Sequence, residues 1–140
     1  LEQAFEYLDV DSRAKKLMQL TLPGELTYLV KSRKDLPYHV TLGTDVIGVR
    51  VPNSKVVRDL IKEVGKPLLV TSANKSGEET RYFEEVIKVF GDELKGIIKG
   101  ECESLVPSTI INLVDSDKIS LVREGSVPFN KILEIWEGIK

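Results

Sequence analysis

The chain has 140 residues, enough for one hydrophobic core and too few for two independent ones. Apolar residues make up 41% of it and charged residues 30%, the balance of a globular protein rather than a disordered or membrane-embedded one. A net charge of −2 and a pI of about 5.6 exclude a surface that is basic throughout, as non-specific nucleic-acid binding requires, but leave room for a local basic pocket.

The opening residues read as helical, with Leu1, Phe5 and Leu8 at helical spacing. Asp11 or Ser12 can cap a second helix carrying Ala14, Leu17 and Met18, which Pro23-Gly24 stops and turns. Leu26–Val30 reads as a strand, followed by a charged, proline-containing loop from Lys31 to Gly43. Val46–Val51 is a β-run with two faces: Ile47, Val49 and Val51 on one, Val46, Gly48 and Arg50 on the other. Pro52 ends it, Ser54 caps a helix through Val56, Val57, Leu60, Ile61 and Val64, and Gly65 supplies the stop. Pro67–Thr71 is a continuous apolar run, as expected of a strand covered on both faces.

The polar loop Thr71-Ser72-Ala73-Asn74-Lys75-Ser76-Gly77 leads into a helix with Phe83, Val86, Ile87 and Phe90, closed by Gly91. Ile97-Ile98 reads as a short strand. Thr109–Val114 and Lys118–Val122 read as a hairpin around Asp115-Ser116-Asp117. Glu124-Gly125 turns the chain into a final amphipathic helix with Ile132, Leu133 and Trp136. Strands alternating with helices, plus one hairpin, predict an α/β fold with a mixed sheet.

The longest apolar stretches, Leu68-Leu69-Val70 and Ile110-Ile111, are too short to cross a bilayer, and the opening residues lack the pattern of a secretory signal. These features point to the cytoplasm; an unusual first residue points to a natural start further upstream. Cys102 is the sole cysteine and His39 the sole histidine, which excludes a Cys/His zinc cluster or a disulfide within one chain. Cys102 reads as a packing residue and His39 as part of a polar loop. Glutamine occurs only at Gln3 and Gln19 amid abundant Lys and Glu, a composition that leans toward a thermophilic source.

Chemistry concentrates in three places. Arg50 ends a strand beside Gly48, where a guanidinium can meet a phosphate or carboxylate with two parallel hydrogen bonds; the plain alternative is a surface arginine paired with a nearby acid. Thr71-Ser72-Ala73-Asn74 follows a strand and precedes a helix, where backbone N–H groups and hydroxyls suit anionic oxygens; the alternative is a turn that caps the next helix. Ser108 opens one hairpin strand and Arg123 closes the other, so the two ends can lie side by side. No Walker A loop, dinucleotide-binding glycine fingerprint or HExxH is present.

Five segments in order carry a stronger signal than any single residue. Pro23-Gly24-Glu25-Leu26-Thr27, Ile47-Gly48-Val49-Arg50-Val51-Pro52, Pro67 to Gly77, Pro107-Ser108-Thr109-Ile110-Ile111 and Leu121-Val122-Arg123-Glu124-Gly125 together resemble the YrdC-like family. The usual opening strand and Lys-x-Arg motif of that family are missing, since Lys31-Ser32-Arg33 falls after the Pro-Gly turn, and Leu105 stands where relatives often have glycine. The chain thus resembles the C-terminal portion of a YrdC-like protein: a single domain over 1–140, N-terminally incomplete, and on its own expected to be inactive or nearly so.

The resemblance implies a twisted mixed β-sheet with flanking helices and a concave basic cavity. It implies an L-threonylcarbamoyl-AMP synthase, a nucleotidyltransferase that joins L-threonine, bicarbonate or carbon dioxide, and ATP, and releases pyrophosphate, for threonylcarbamoyladenosine in tRNA. Thr27, Arg50, Ser72, Asn74 and Arg123 then fall toward ATP, and Lys31, Thr71 and Ser108 toward threonine. No residue acts covalently and no protein-held metal is implied; Mg2+ is expected to travel with the nucleotide. Implied partners are tRNA or double-stranded RNA and the proteins that transfer the threonylcarbamoyl group to tRNA. The alternative is a non-catalytic module that binds double-stranded RNA or tRNA. A related carbamoyl-transfer domain of hydrogenase maturation would bring zinc-binding cysteines that this chain lacks.

Overall fold

Leu26–Ser32 (β2) organises the sheet, because three other strands pair with it. The computed structural model describes residues 1–33, 35–74, 82–100, 106–115 and 117–140. On one edge of β2 lies Val46–Val49 (β3), antiparallel, with Tyr28 opposite Val49 and Val30 opposite Ile47. Along the other edge, Thr109–Asn112 (β4) runs parallel to the first half of β2, and the two-residue strand Leu8–Asp9 (β1) pairs with its last residues. Ser120–Arg123 (β5) closes the sheet antiparallel to β4, giving five strands of mixed direction.

The two-residue period of β2 divides its side chains between two environments. Leu26, Tyr28 and Val30 are buried, whereas Thr27 and Leu29 are half-buried and Lys31 is exposed. The core forms on the first of these faces. Ser12–Thr21 (α2) lays Ala14, Leu17 and Met18 on it, and Phe129–Gly138 (α6) adds Ile132 and Trp136, both sets at helical spacing. Asp11 caps α2, its Oδ1 accepting from Ala14 N–H at 2.7 Å. Arg13 bridges the two helices: its guanidinium lies 4.0 Å from the centre of the Trp136 ring and donates to the Trp136 carbonyl.

Tyr28 is fully buried and satisfies its hydroxyl inside this core. Thr21 Oγ1 donates to the Leu17 carbonyl at 2.8 Å, leaving its lone pairs to accept from Tyr28 Oη at 2.7 Å. Burial pushes the phenol up to about 12, a rise that the Thr21 hydrogen bond only partly opposes.

Most sequence expectations are met in this region. The second and last helices, the strand from Leu26, the two-faced run at Ile47, Val49 and Val51, and the Thr109–Arg123 hairpin all form. Ser54 caps Lys55–Val64 (α4), and Gly65 ends it at φ 70, a left-handed conformation that glycine adopts without a Cβ penalty. The opening differs. Its helix (α1) covers Glu2–Phe5 only, and Leu8 belongs to β1, where it pairs with Ser32 and joins the core. The Lys31–Gly43 loop also differs, since β2 continues to Ser32 and Tyr38–Thr41 (α3) forms a single turn that contains His39. The β3 ladder ends at Val49 rather than Val51.

The chain divides into two compact units, Leu1–Leu68 with Pro107–Lys140, and Leu69–Val106. The described part of the second contains one helix, Phe83–Phe90 (α5), whose half-buried positions are Phe83, Val86, Val89 and Phe90, while Ile87, expected on the same face, is exposed; Gly91 ends the helix as expected. The strands expected at Pro67–Thr71 and Ile97-Ile98 are not formed. Leu69 is 65% and Val70 77% exposed. An apolar run shows that a segment favours cover; a strand also needs a paired edge, and no ladder in the sheet includes these residues. Lys75, Ser76, Gly77, Cys102, Leu105 and Ser116 lie outside the described residues. Among those described, no helix is long and apolar enough to cross a membrane.

Candidate functional site

The face of the sheet turned away from the core carries Thr27, Lys31 and Arg123. Thr27 is opposite Ile110 on β4, and Ile110 is opposite Arg123 on β5, so these three form one row across the strands. Arg50 extends the row on the other side. It follows β3 by one residue, and continuing the β2–β3 register by one step sets it opposite Thr27.

Ser108 precedes β4 and is almost sealed, at 7% exposure. Its hydroxyl meets Thr27 Oγ1 at 2.9 Å, while its carbonyl accepts from Arg123 Nη2 at 2.8 Å and Nε at 3.3 Å. The expectation that Ser108 and Arg123 face each other across the hairpin is therefore met. The β4–β5 ladder slips between Ile110 and Ile111, leaving Val122 as an extra residue on β5. A bulge of this kind bends its strand and re-aims the neighbouring side chain, here Arg123. Two of the five N–H donors of the guanidinium are used on a neutral carbonyl, so its positive charge is oriented without being cancelled.

The backbone beneath this cluster is fixed by Thr109 and Gly125. Thr109 is fully buried; its hydroxyl donates to the Val127 carbonyl and accepts from Gly125 N–H at 2.9 Å and Val127 N–H at 3.1 Å. Gly125 packs so closely on the chain before β4 that a Cβ there would lie 2.0 Å from the Pro107 carbonyl oxygen and 2.7 Å from the Ser108 carbonyl carbon. Only glycine fits between these backbones. At Gly48, by contrast, an added Cβ would meet Leu29 and Thr27 side chains at 3.5 and 3.6 Å, ordinary contact distances.

Arg50 makes the pairing that the sequence left open as its plainer alternative: Nη2 donates to Glu25 Oε2 at 2.6 Å. Glu25 was not among the candidate residues. An acid just before β2 has no signature of its own, and only the strand register reveals that it neighbours Arg50. Lys31 shares the outer face but is four residues along β2 from Thr27, roughly 13 Å at the usual rise of a strand. Thr71, Ser72 and Asn74 belong to the second unit, where Thr71 and Ser72 are exposed and Asn74 is half-buried. Among the described residues, no group of three or more His, Cys, Asp or Glu is placed to hold a metal ion.

An oriented, charged guanidinium, a second arginine and two hydroxyls on one sheet face can bind the oxygens of a phosphate or carboxylate. The family model for Sua5, YciO and YrdC proteins, described as telomere recombination, matches residues 1–125. A protein of Methanocaldococcus jannaschii, provisionally named threonylcarbamoyl-AMP synthase, is 37% identical over 129 residues, covering 91% of this chain and 59% of that relative. The crystal structure of P. abyssi Sua5 complexed with L-threonine superposes with a TM-score of 0.86 at 28% identity, covering 98% of this chain and 41% of that one. E. coli YciO superposes at 0.83 with 30% identity, over 94% of this chain and 65% of its own. This chain thus spans well under two thirds of that archaeal relative and of Sua5.

Proposed function

The chain belongs to the Sua5/YciO/YrdC family, and from that premise we propose that it forms L-threonylcarbamoyl-AMP from L-threonine, carbon dioxide or bicarbonate, and ATP, for the threonylcarbamoyladenosine modification of tRNA. The observation that carries this reading is the Thr27–Ser108–Arg123 cluster, where a sealed serine, a threonine and a fixed guanidinium share the outer face of the sheet. The name of the archaeal relative and the threonine bound by P. abyssi Sua5 support the substrate class.

In this proposal the amine of threonine adds to carbon dioxide, losing a proton and leaving a carbamate. A carbamate oxygen then attacks the α-phosphorus of ATP while the bond from that phosphorus to the pyrophosphate oxygen breaks, and the electron pair departs with pyrophosphate. The protein holds two anions together and neutralises charge on the phosphoryl oxygens, which is positioning and electrostatics without a covalent intermediate. Within the first unit, Arg123, Arg50 and Thr27 hold the nucleotide, and Ser108 and Lys31 hold threonine, with Lys31 reaching a different part of the ligand pair from Thr27. Arginine suits the first task because it stays charged at every working pH. Mg2+ would enter with the nucleotide, and no step is assigned to a metal cage of protein carboxylates.

Arg123→Ala in the intact protein tests the assignment. It is expected to slow pyrophosphate release roughly a hundredfold or more, about 2–4 kcal/mol of transition-state stabilisation, with the unfolding midpoint retained. A parent rate in this variant refutes it.

A further inference from the structure

The two arginines of the outer face are held in different ways. Arg123 leans on a neutral carbonyl and keeps its full charge, whereas Arg50 is paired with a carboxylate that cancels it. Neither member of the Arg50–Glu25 pair is sealed from water, with side-chain exposures of 40% and 32%. Their backbones are pinned on both sides. Gly24 N–H donates to the Val51 carbonyl at 2.9 Å, and the Glu25 carbonyl accepts from Thr109 N–H at 3.1 Å. Only the side chains are left to swing. The contact engages one guanidinium nitrogen end-on, not the two-pronged geometry that binds a carboxylate most firmly.

Building on the assignment of Arg50 to the nucleotide, we infer that Glu25 is an internal competitor: its carboxylate occupies Arg50 in the unliganded protein and is exchanged for a phosphate oxygen when ATP enters. An end-on, solvent-exposed ion pair is cheap to open, and a triphosphate carries more negative charge than the carboxylate it displaces. The exchange makes Arg123 the resident cation of the site and Arg50 the conditional one. It also sets a threshold, because a weakly charged anion gains little by displacing Glu25, whereas a triphosphate gains more.

ATP alone, titrated calorimetrically into the intact protein and its variants, tests this. Glu25→Gln removes the competing charge and keeps the shape, so it should tighten ATP binding roughly two- to fivefold, the scale of an exposed ion pair. Arg50→Ala should weaken binding, and in that background Glu25→Gln should change nothing. Unchanged or weaker binding by Glu25→Gln alone overturns the inference while leaving the site assignment standing, since Glu25 would then be orienting Arg50 or idle. An equal gain with and without Arg50 also overturns it, marking a general field effect. If Arg50→Ala binds ATP like the parent protein, the placement of Arg50 at the nucleotide fails and the inference with it. Glu25→Thr, titrated in parallel, provides the same reading if Glu25→Gln shifts the melting temperature.

Discussion

Along β2, neighbouring residues lead separate lives: Leu26, Tyr28 and Val30 are buried against α2 and α6, while Thr27, Leu29 and Lys31 turn to a face that is half-buried or open. The buried face is made largely of aliphatic and aromatic side chains, with the hydroxyls of Tyr28 and Thr109 satisfied internally. The other face carries hydroxyls and cations held by one or two polar contacts each. One strand thus supplies stability and chemistry from alternate positions, and a substitution on one face should leave the other nearly untouched.

Truncating the buried face tests this division most severely. Ile111→Ala should cost about 2–5 kcal/mol in denaturant unfolding, because Ile111 is fully buried, whereas Ile110→Ala, on the opposite face and half-buried, should cost well under half of that. Equal losses would mean that the two faces are not energetically distinct. Next comes alkaline pH. The phenol of Tyr28 is raised in the folded state to about 12, from an ordinary value of 10.0. Its contribution is therefore complete below pH 10 and lost as pH climbs through 12, about 2–3 kcal/mol in all. Tyr28→Phe should flatten that part of the stability–pH curve.

Glycines offer a finer comparison. Gly125→Ala forces a methyl group against the Pro107 and Ser108 backbone and should cost about 1–3 kcal/mol. It should also weaken ATP binding, since it displaces the carbonyl that orients Arg123. Gly48→Ala, with room for its methyl, should stay within about 0.5 kcal/mol of the parent. A modest effect is expected at a helix start, where Asp11→Ala removes the cap of α2 and should lower stability by about 1 kcal/mol.

The sequence was most legible where local rules act alone. The cap at Ser54, the stop at Gly65 and the alternation of Ile47, Val49 and Val51 are decided within a few residues and could be read directly, and the cap of α2 was narrowed to Asp11 or Ser12, of which the structure uses Asp11. The hairpin brought Ser108 and Arg123 together by the same reasoning. What was not legible depends on partners distant in sequence. Leu8 is a strand residue because Ser32 pairs with it, the Leu68–Val70 run is not a strand despite its composition, and Glu25 matters only because the register brings it to Arg50. Thr109 showed nothing of its role beyond β-branching, yet its hydroxyl fixes the corner beneath the candidate site.

The parallel alignment of β2 with β4 also bears on how the molecule assembles. Thr27 and Ser108 meet across 81 positions of chain, so the first productive contact between these strands closes a very large loop. Proteins dominated by such distant contacts fold slowly, and refolding here should be limited by that closure rather than by the helices. The entropic cost of a loop rises only logarithmically, by about 0.6 kcal/mol for each doubling of its length. The stretch between β2 and β4 can therefore lengthen or shorten over evolution with little thermodynamic penalty, while the strands at its two ends keep their alignment.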